Sequence, residues 1–159
     1  MTGQSRFGCI VAVAFLALAL GWTTARAESA DGSGEHLILV VNPDCGVTRL
    51  SREDIINIFM GRYRTLPTGI PALPIDQAAE REQFYHLLVN KTPAEINAYW
   101  ARLVFSGRAS PPILAPTATE VKTLVENNLG AIGYLLRSDL DSSVRPVCNL
   151  STMSAELPR

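Results

Sequence analysis

The fold of this chain depends on residues Leu37–Gly61, which read LILVVNPDCGVTRLSREDIINIFMG. The first five are continuously apolar and partly β-branched, which predicts a strand covered on both faces. Asn42-Pro43-Asp44 should end this strand, because proline cannot donate to a strand ladder and Asx residues favour turns. Ser51, followed by Asp54 three residues later, predicts a capped helix that ends at Gly61.

Further strands and helices are predicted along the rest of the chain. The clearest start is Thr92-Pro93-Ala94-Glu95, where threonine caps, proline takes the first helical position and glutamate completes a capping box. The predicted elements are a strand at Ala72–Ile75, helices at Gln77–Val89, Thr92–Gly107 and Thr117–Gly130, and strands at Ala131–Leu136 and Val144–Leu150.

Two proline-containing stretches complete this pattern. Arg108–Pro116 contains three prolines and predicts an extended connector, and Pro146 favours an edge position or a bulge for the last strand. Strands interleaved with helices predict an α/β fold, a small mixed sheet with helices on its faces.

The first residues have the pattern of a secretory signal peptide. Arg6 precedes the apolar run Phe7–Leu20, and Ala25-Arg26-Ala27 supplies small residues for cleavage after Ala27. A membrane anchor is the alternative, but the run is shorter than the roughly 20 residues that a spanning helix needs. We therefore expect residues 1–27 to be removed and the product to be periplasmic or secreted.

The remaining length suits a single domain. We expect a flexible N-terminus at residues 28–36, an α/β domain at 37–150 and a frayed C-terminus at 151–159. The chain has a formal net charge of -1 and no block of basic residues, so a nucleic-acid partner is not predicted. No second apolar stretch is long enough to span a membrane.

Export changes the expectation for the cysteines. Once Cys9 is removed with the leader, Cys45 and Cys148 remain in a compartment that permits disulfides. A Cys45–Cys148 bridge is predicted, because an unpaired thiol is a liability there. Two independent buried thiols are the alternative.

Enzymatic activity has no support from motifs. The sequence lacks a phosphate loop of the Walker type, a G-x-S-x-G elbow and a GxGxxG fingerprint. His36 and His86 are not at ligand spacing, so neither a metal nor a cofactor is predicted. Asp76, Glu80 and Glu82 form the densest acidic group, which a helix N-terminus explains better than a catalytic pair does.

One location favours an anion. Asp76–Arg81 lies where a predicted strand ends and a helix begins, so backbone N–H groups without helical partners would point outward. Arg81 could add its fork of donors to such a site. The alternative is that Arg81 pairs with a neighbouring glutamate on the surface.

The arrangement resembles the second lobe of the periplasmic phosphate-binding proteins of ABC transporters. The resemblance covers about Leu37–Leu150 and rests on Asn42 after the first strand, Leu50-Ser51, Ile58-Phe59, Gly61 and the stretch Gly130-Ala131-Ile132-Gly133-Tyr134. It implies one lobe of a type II periplasmic binding protein-like fold and binding of phosphate or another small anion for ABC-type transport. The ligand-binding residues would then be Asp76, Gln77, Ala78 and Arg81, with Asn42 and Thr48 from the first loop nearby.

A second hypothesis comes from a difference within this resemblance. The family carries Ser-Gly-Thr at the turn after the second strand, whereas this chain has Gln77-Ala78-Ala79-Glu80-Arg81. The added acid would oppose phosphate by like-charge repulsion. The chain could instead be a non-catalytic interaction module that has lost phosphate binding and contacts an envelope or transporter protein, or a second copy of itself.

Overall fold

A computed structural model of the chain describes residues 36–154. Its strands are β1 Leu37–Val41, β2 Leu73–Gln77, β3 Ile113–Ala115, β4 Ala131–Leu136 and β5 Arg145–Asn149. Its helices are α1 Arg52–Phe59, α2 Arg81–Val89, α3 Pro93–Phe105, α4 Ala118–Asn127 and α5 Leu150–Ser154, with a 3-10 turn at Arg137–Asp139. Within these residues, no helix is both long and apolar enough to cross a bilayer. The predicted leader and the segment up to Glu35 lie outside the described residues.

The strands form one five-stranded mixed sheet in the order β3-β2-β4-β1-β5. β2 pairs in parallel with both β3 and β4, whereas β1 pairs antiparallel with β4 and β5. The predicted α/β fold with a small mixed sheet is therefore confirmed. All five residues of β1 are buried, as their continuous apolar sequence predicts.

The alternation of side chains along β1 divides the core into two layers. Leu37, Leu39 and Val41 face the layer that α1, α2, α3 and α5 cover, and this layer contains Phe59, Phe84, Ile96 and Leu150. Ile38 and Val40 face the opposite layer, which Val121 and Val125 of α4 cover. Because successive strand residues point to opposite faces, one apolar strand supplies both layers.

The helix caps that the sequence predicts are present. The side chain of Ser51 accepts from Asp54 N while the Asp54 carboxylate accepts from Ser51 N, and Thr92 and Glu95 form the same reciprocal pair. These contacts satisfy N–H groups that the first turn of a helix leaves without partners. They explain why α1 and α3 begin where the sequence indicates.

Three predicted boundaries are wrong. The second helix begins at Arg81 rather than Gln77, because β2 continues through Gln77 and Ala78 N donates to Ala115 O at 2.9 Å. The proline-rich connector contains β3, whose pairing with β2 is a tertiary contact that local sequence does not reveal. Residues 151–154 continue α5 instead of fraying, with Arg52 Nη1 donating to Met153 O.

The last strand behaves as Pro146 predicts. β5 is an edge strand, and the register of its pairing with β1 shifts between Leu39 and Val40, beside Pro146. Proline lacks an N–H donor, so an edge with an irregular ladder tolerates it.

The predicted Cys45–Cys148 bridge is not present, because both thiols are free in the structure. Cys148 lies opposite Leu39, in the middle of β1, whereas Cys45 follows the turn beyond the end of that strand. The Cys45 sulfur accepts from Val47 N, and burial raises the pKa of the Cys148 thiol to about 11. The Cys148 thiol therefore stays protonated at neutral pH, and both cysteines pack as small apolar side chains in or against the core.

A close approach of two segments should make Gly130 sensitive to substitution. A Cβ added at Gly130 would overlap the carbonyl oxygen of Pro71, where Gly130 O accepts from Leu73 N to start the β2–β4 pairing. We expect Gly130→Ala to lower the free energy of unfolding by about 3 kcal/mol, since the obstacle is backbone. Urea unfolding followed by circular dichroism measures this loss.

Gly107→Ala is the matched control. No atom lies within 4 Å of a methyl group added there, so only the positive φ of 66° opposes it. The expected cost is about 1 kcal/mol. Equal losses for the two variants would contradict the steric explanation at Gly130.

Candidate ligand-binding site

The buried carboxylate of Asp76 is the centre of the candidate site. Asp76 is the fourth residue of β2 and is 3% exposed. Its oxygens accept from Arg81 Nε at 3.0 Å, from the Tyr85 hydroxyl at 3.2 Å and from the Tyr134 hydroxyl at 3.3 Å. Three donors from two elements, α2 and β4, therefore converge on one carboxyl group.

The fold explains this convergence. Tyr134 belongs to β4, the parallel neighbour of β2, and its hydroxyl reaches Asp76 from that strand. Arg81 and Tyr85 are four residues apart on α2, so both face the end of β2. The Arg81 guanidinium also lies over the Tyr85 ring, 5.4 Å from its centroid.

An aromatic cluster holds the two phenols in position. The Phe84 ring stacks on Tyr134 with centroids 3.9 Å apart, and it contacts Phe59 at 4.6 Å. Phe84 and Tyr85 also meet edge to face at 5.1 Å. Because these rings are buried and interlocked, the hydroxyl groups of Tyr85 and Tyr134 have little freedom to turn away from Asp76.

Burial dominates the electrostatics of the site. Desolvation raises the pKa of Asp76, against the opposing effects of Arg81 and the two phenols. Desolvation also raises the pKa of Tyr85 and of Tyr134, and the negative charge of Asp76 adds to both shifts. The phenols therefore remain protonated donors, and the group that accepts from them and from Arg81 is a carboxyl of the protein itself.

A groove of about 590 Å³ leads to this cluster from solvent. Arg81 donates from Nη1 to Asn97 Oδ1 at 3.1 Å, and its side chain is 22% exposed, compared with 4% for the side chain of Asp76. The walls are mainly apolar and are formed by Trp100, Ala101, Val104, Phe105, Pro111, Pro112 and Leu114. Asp76 also lines the groove, so a ligand there would meet the guanidinium directly and the nearly buried carboxyl beside it.

Gln77 and Ala78 lie beside this cluster, at the end of β2. Gln77 is 4% exposed, and its Oε1 has no hydrogen-bond partner among residues 36–154. Ala78 is exposed, and no side chain caps the start of α2 that follows. Carboxyl ends of parallel strands and uncapped helix starts are common ligand sites in open α/β sheets.

Asn42 has a structural role at a different edge of the sheet. Its Nδ2 donates to Val125 O at 2.9 Å and to Glu126 O at 2.8 Å, and its Oδ1 accepts from Asp44 N. Asn42 thus satisfies carbonyl groups in the last turn of α4, which a helix leaves without partners.

Strand direction separates Asn42 and Thr48 from the other predicted residues. Because β1 is antiparallel to β4, Asn42 lies level with the start of β2 at Leu73. Gln77 is four residues further along, about 13 Å at roughly 3.3 Å per residue. Thr48 is exposed in the same loop as Asn42. The structure brings together Asp76, Gln77, Ala78 and Arg81, and leaves the other two elsewhere.

Sequence reasoning missed Tyr85 and Tyr134. The spacing of four residues between Arg81 and Tyr85 could have indicated that both face Asp76. No comparable signal exists for Tyr134, because its position depends on the pairing of β4 with β2. Among residues 36–154, no three His, Cys, Asp or Glu side chains are grouped to hold a metal ion.

Comparison with solved structures identifies proteins that share this fold. An ABC-type phosphate transport receptor from Vibrio cholerae matches with a TM-score of 0.57 and 21% identity, over 71% of this chain and 45% of that one. A protein from Clostridium perfringens, described as a phosphate ABC transporter substrate-binding protein and crystallised with bound phosphate, gives 0.56 and 19%, over 71% and 44%.

These matches establish the class of fold. The chain has a mixed α/β fold like that of phosphate ABC transporter substrate-binding proteins, and it spans less than half of the length of each matched structure. No protein-family model matches the sequence, and comparison with curated proteins gives no significant match. At this level of identity the likeness applies to the fold, and the ligand has to be argued from the site.

The raised pKa of Asp76 predicts a pH dependence of stability. A carboxyl whose folded pKa is raised contributes stability that is fully present below its unfolded pKa of about 3.9 and is lost as pH rises through the folded pKa. Asp76→Asn removes this loss, while its amide oxygen still accepts from the two phenols. As the pH rises from 4 to 7, the free energy of unfolding of Asp76→Asn should therefore increase relative to that of the unchanged protein.

Glu95→Gln is the control with the opposite sign. Lys91 and the Thr92 cap lower the pKa of Glu95 to about 2, so its contribution is present above about pH 4.3 and is lost on acidification. As the pH rises from 4 to 7, the free energy of unfolding of Glu95→Gln should decrease relative to that of the unchanged protein. Urea unfolding of all three proteins at both pH values measures these differences, and an Asp76→Asn curve parallel to that of the unchanged protein would contradict the prediction.

Proposed function

We propose that the chain is an exported, single-lobe binding domain that takes up a small oxyanion of the phosphate class for ABC-type transport. The observation that carries this proposal is the position of Arg81. It lies at the uncapped start of α2, beside the carboxyl ends of the parallel strands β2 and β3, and its guanidinium is reachable from a groove. The fold shared with two phosphate-transport proteins supports the choice of ligand class.

The ligand would contact the guanidinium and the backbone of the turn at residues 78–80. Asp76 and Asn97 hold Nε and Nη1 of Arg81, which fixes the plane of a group that has five N–H donors in all. A planar fork held in this way suits an oxyanion, because two oxygens can accept in parallel.

Binding at this site should be weak. Asp76 neutralises much of the charge of Arg81 at 3.0 Å, and its own negative charge repels a second anion. The groove is open to water, which reduces the free energy of each charged hydrogen bond. We therefore expect a dissociation constant on the order of 1 mM, which corresponds to about -4 kcal/mol.

The same contacts favour a second candidate function, a non-catalytic interaction module. Asp76 already accepts from Arg81, Tyr85 and Tyr134, so the strongest donors of the site are used within the protein. In this case no anion binds, and the turn at residues 78–80 would contact an envelope or transporter protein, or a second copy of the chain.

Titration with inorganic phosphate tests the proposal. We expect weak binding to the unchanged protein, with affinity falling at least tenfold in Arg81→Ala because the guanidinium is lost. Asp76→Asn should bind phosphate more tightly than the unchanged protein, since a competing internal anion is removed. Amide chemical shifts recorded during the titration measure affinity in the millimolar range and report which residues respond.

Arg137→Ala is the matched control, since Arg137 is an exposed arginine that follows β4. It should bind phosphate as the unchanged protein does. If phosphate changes no shifts near residues 76–81 in either the unchanged protein or Asp76→Asn, the transport hypothesis is wrong. Light scattering that shows a concentration-dependent dimer would then favour the interaction module.

A further inference from the structure

A second cleft lies where the loop after α1 meets the end of α3. This cleft has a volume of about 490 Å³, and Tyr63, Arg64, Val104, Arg108 and Ser110 are among the residues that line it. Arg64 Nη2 donates to the carbonyl oxygen of Arg108 at 3.0 Å, which fixes the loop against the end of α3. Two arginines and a tyrosine therefore share one concave surface.

The charge of this surface is positive. Arg62, Arg64 and Arg108 are exposed, and within residues 36–154 none of them forms an ion pair with a carboxylate. Asp54, which lines the neighbouring cavity with Arg62 and Arg64, accepts from the backbone N–H and the hydroxyl of Ser51. Because the described residues carry as many acidic as basic side chains, the excess of positive charge here is local.

Exposed apolar side chains border the same surface. Phe105, the last residue of α3, is 96% exposed, and Val104 beside it is 53% exposed. Tyr63 is 48% exposed. Ile96 and Trp100 of α3 are buried in the core, so Phe105 projects beyond the packed part of the helix. We name Tyr63, Arg64, Val104, Phe105 and Arg108 the basic-aromatic surface.

We infer that the basic-aromatic surface binds an anionic lipid bilayer. Arg64 and Arg108 have no carboxylate partner among residues 36–154, and lipid phosphates can supply the negative charge that would pair with them. The cleft between the two arginines can hold a headgroup phosphate. Phe105 would enter the acyl boundary, and Tyr63 would lie at headgroup level, where amphipathic rings are favoured.

The protrusion of Phe105 favours a bilayer over a protein partner. A bilayer is a deformable liquid and accepts a single projecting ring wherever it lands, whereas a protein must offer a pocket of matching shape. Phe105 and Val104 border the mainly apolar groove beside Arg81, and Val104 also lines the cleft that holds Arg64 and Arg108. This combination of positive charge with exposed apolar side chains is the composition of a peripheral membrane contact.

Partition into vesicles of phosphatidylglycerol and phosphatidylethanolamine tests this inference, with zwitterionic vesicles for comparison. We expect binding to the anionic vesicles only, and weaker binding at 0.5 M salt, because salt screens exposed charges. Phe105→Ala should lower the partition coefficient about tenfold. Arg64→Ala and Arg108→Ala should each lower it about fivefold. Every variant is compared in the form that begins at Glu28, so that the apolar run Phe7–Leu20 of the predicted leader does not bind the vesicles.

Two exposed residues elsewhere provide matched controls. Leu129, 48% exposed after α4, matches the loss of an apolar side chain, and Arg137 matches the loss of a cation. Leu129→Ala and Arg137→Ala should partition as the unchanged protein does. Since the replaced side chains are exposed, thermal unfolding should be unchanged in four of the variants. Arg64→Ala also loses the hydrogen bond to Arg108 O, so a small decrease is expected there.

Several results would overturn the inference. These are equal binding to zwitterionic vesicles, equal losses in the control variants, or no loss in Phe105→Ala. Displacement from vesicles by 10 mM inorganic phosphate would instead identify free phosphate as the ligand of the cleft. Arg81→Ala should weaken phosphate binding in the titration and leave vesicle binding unchanged. A negative vesicle experiment can therefore be distinguished from a negative phosphate titration.

Discussion

The antiparallel pairing of β1 with β4 is the constraint on which the rest of the structure depends. β1 lies between β4 and β5 and faces a hydrophobic layer on each side, so its five apolar residues stabilise both halves of the core. The same pairing sets the end of the sheet at which the turn after β1 lies. The turn after β1 lies at the end of the sheet where β2 and β4 begin, and the turn before α2 lies at the opposite end.

Asp76 places a buried carboxyl of the protein at the centre of the candidate site. A carboxylate that is 3% exposed would be costly without donors, and Arg81, Tyr85 and Tyr134 supply them. Desolvation nevertheless remains the largest influence on its pKa, so the donors offset only part of the cost. Such a group is poorly explained as a source of stability, because buried charges rarely stabilise more than an apolar replacement would. Asp76 is better explained by its effect on Arg81, because it orients the guanidinium and offsets part of its positive charge.

Local sequence was sufficient where local contacts decide the structure. The caps of α1 and α3 involve residues three apart, and the burial of β1 follows from five consecutive apolar residues. It was insufficient where distant segments meet. β3 has three residues and exists because β2 lies beside it. In turn, pairing with β3 extends β2 to Gln77.

Prediction of the site met the same limit. Asp76, Gln77, Ala78 and Arg81 are nearly contiguous in sequence, so their proximity was predictable from one turn. The separation of Asn42 from them depends on strand direction, which no residue of β1 encodes by itself. Tyr134 lies 58 positions from Asp76, and only the sheet order makes the two adjacent.

The two proposals support each other physically. Arg81 is central to the first and Arg64 and Arg108 to the second, while Val104 and Phe105 border both sites. Asp76 and the open groove imply weak affinity, so a domain of this kind would release an anion almost as readily as it takes one up. Contact through the basic-aromatic surface would hold the domain at the bilayer, where a transporter is embedded. Confinement near a partner raises its effective concentration without any new contact at the binding site. A weak receptor gains more from such confinement than a tight one, because its occupancy still responds to local concentration.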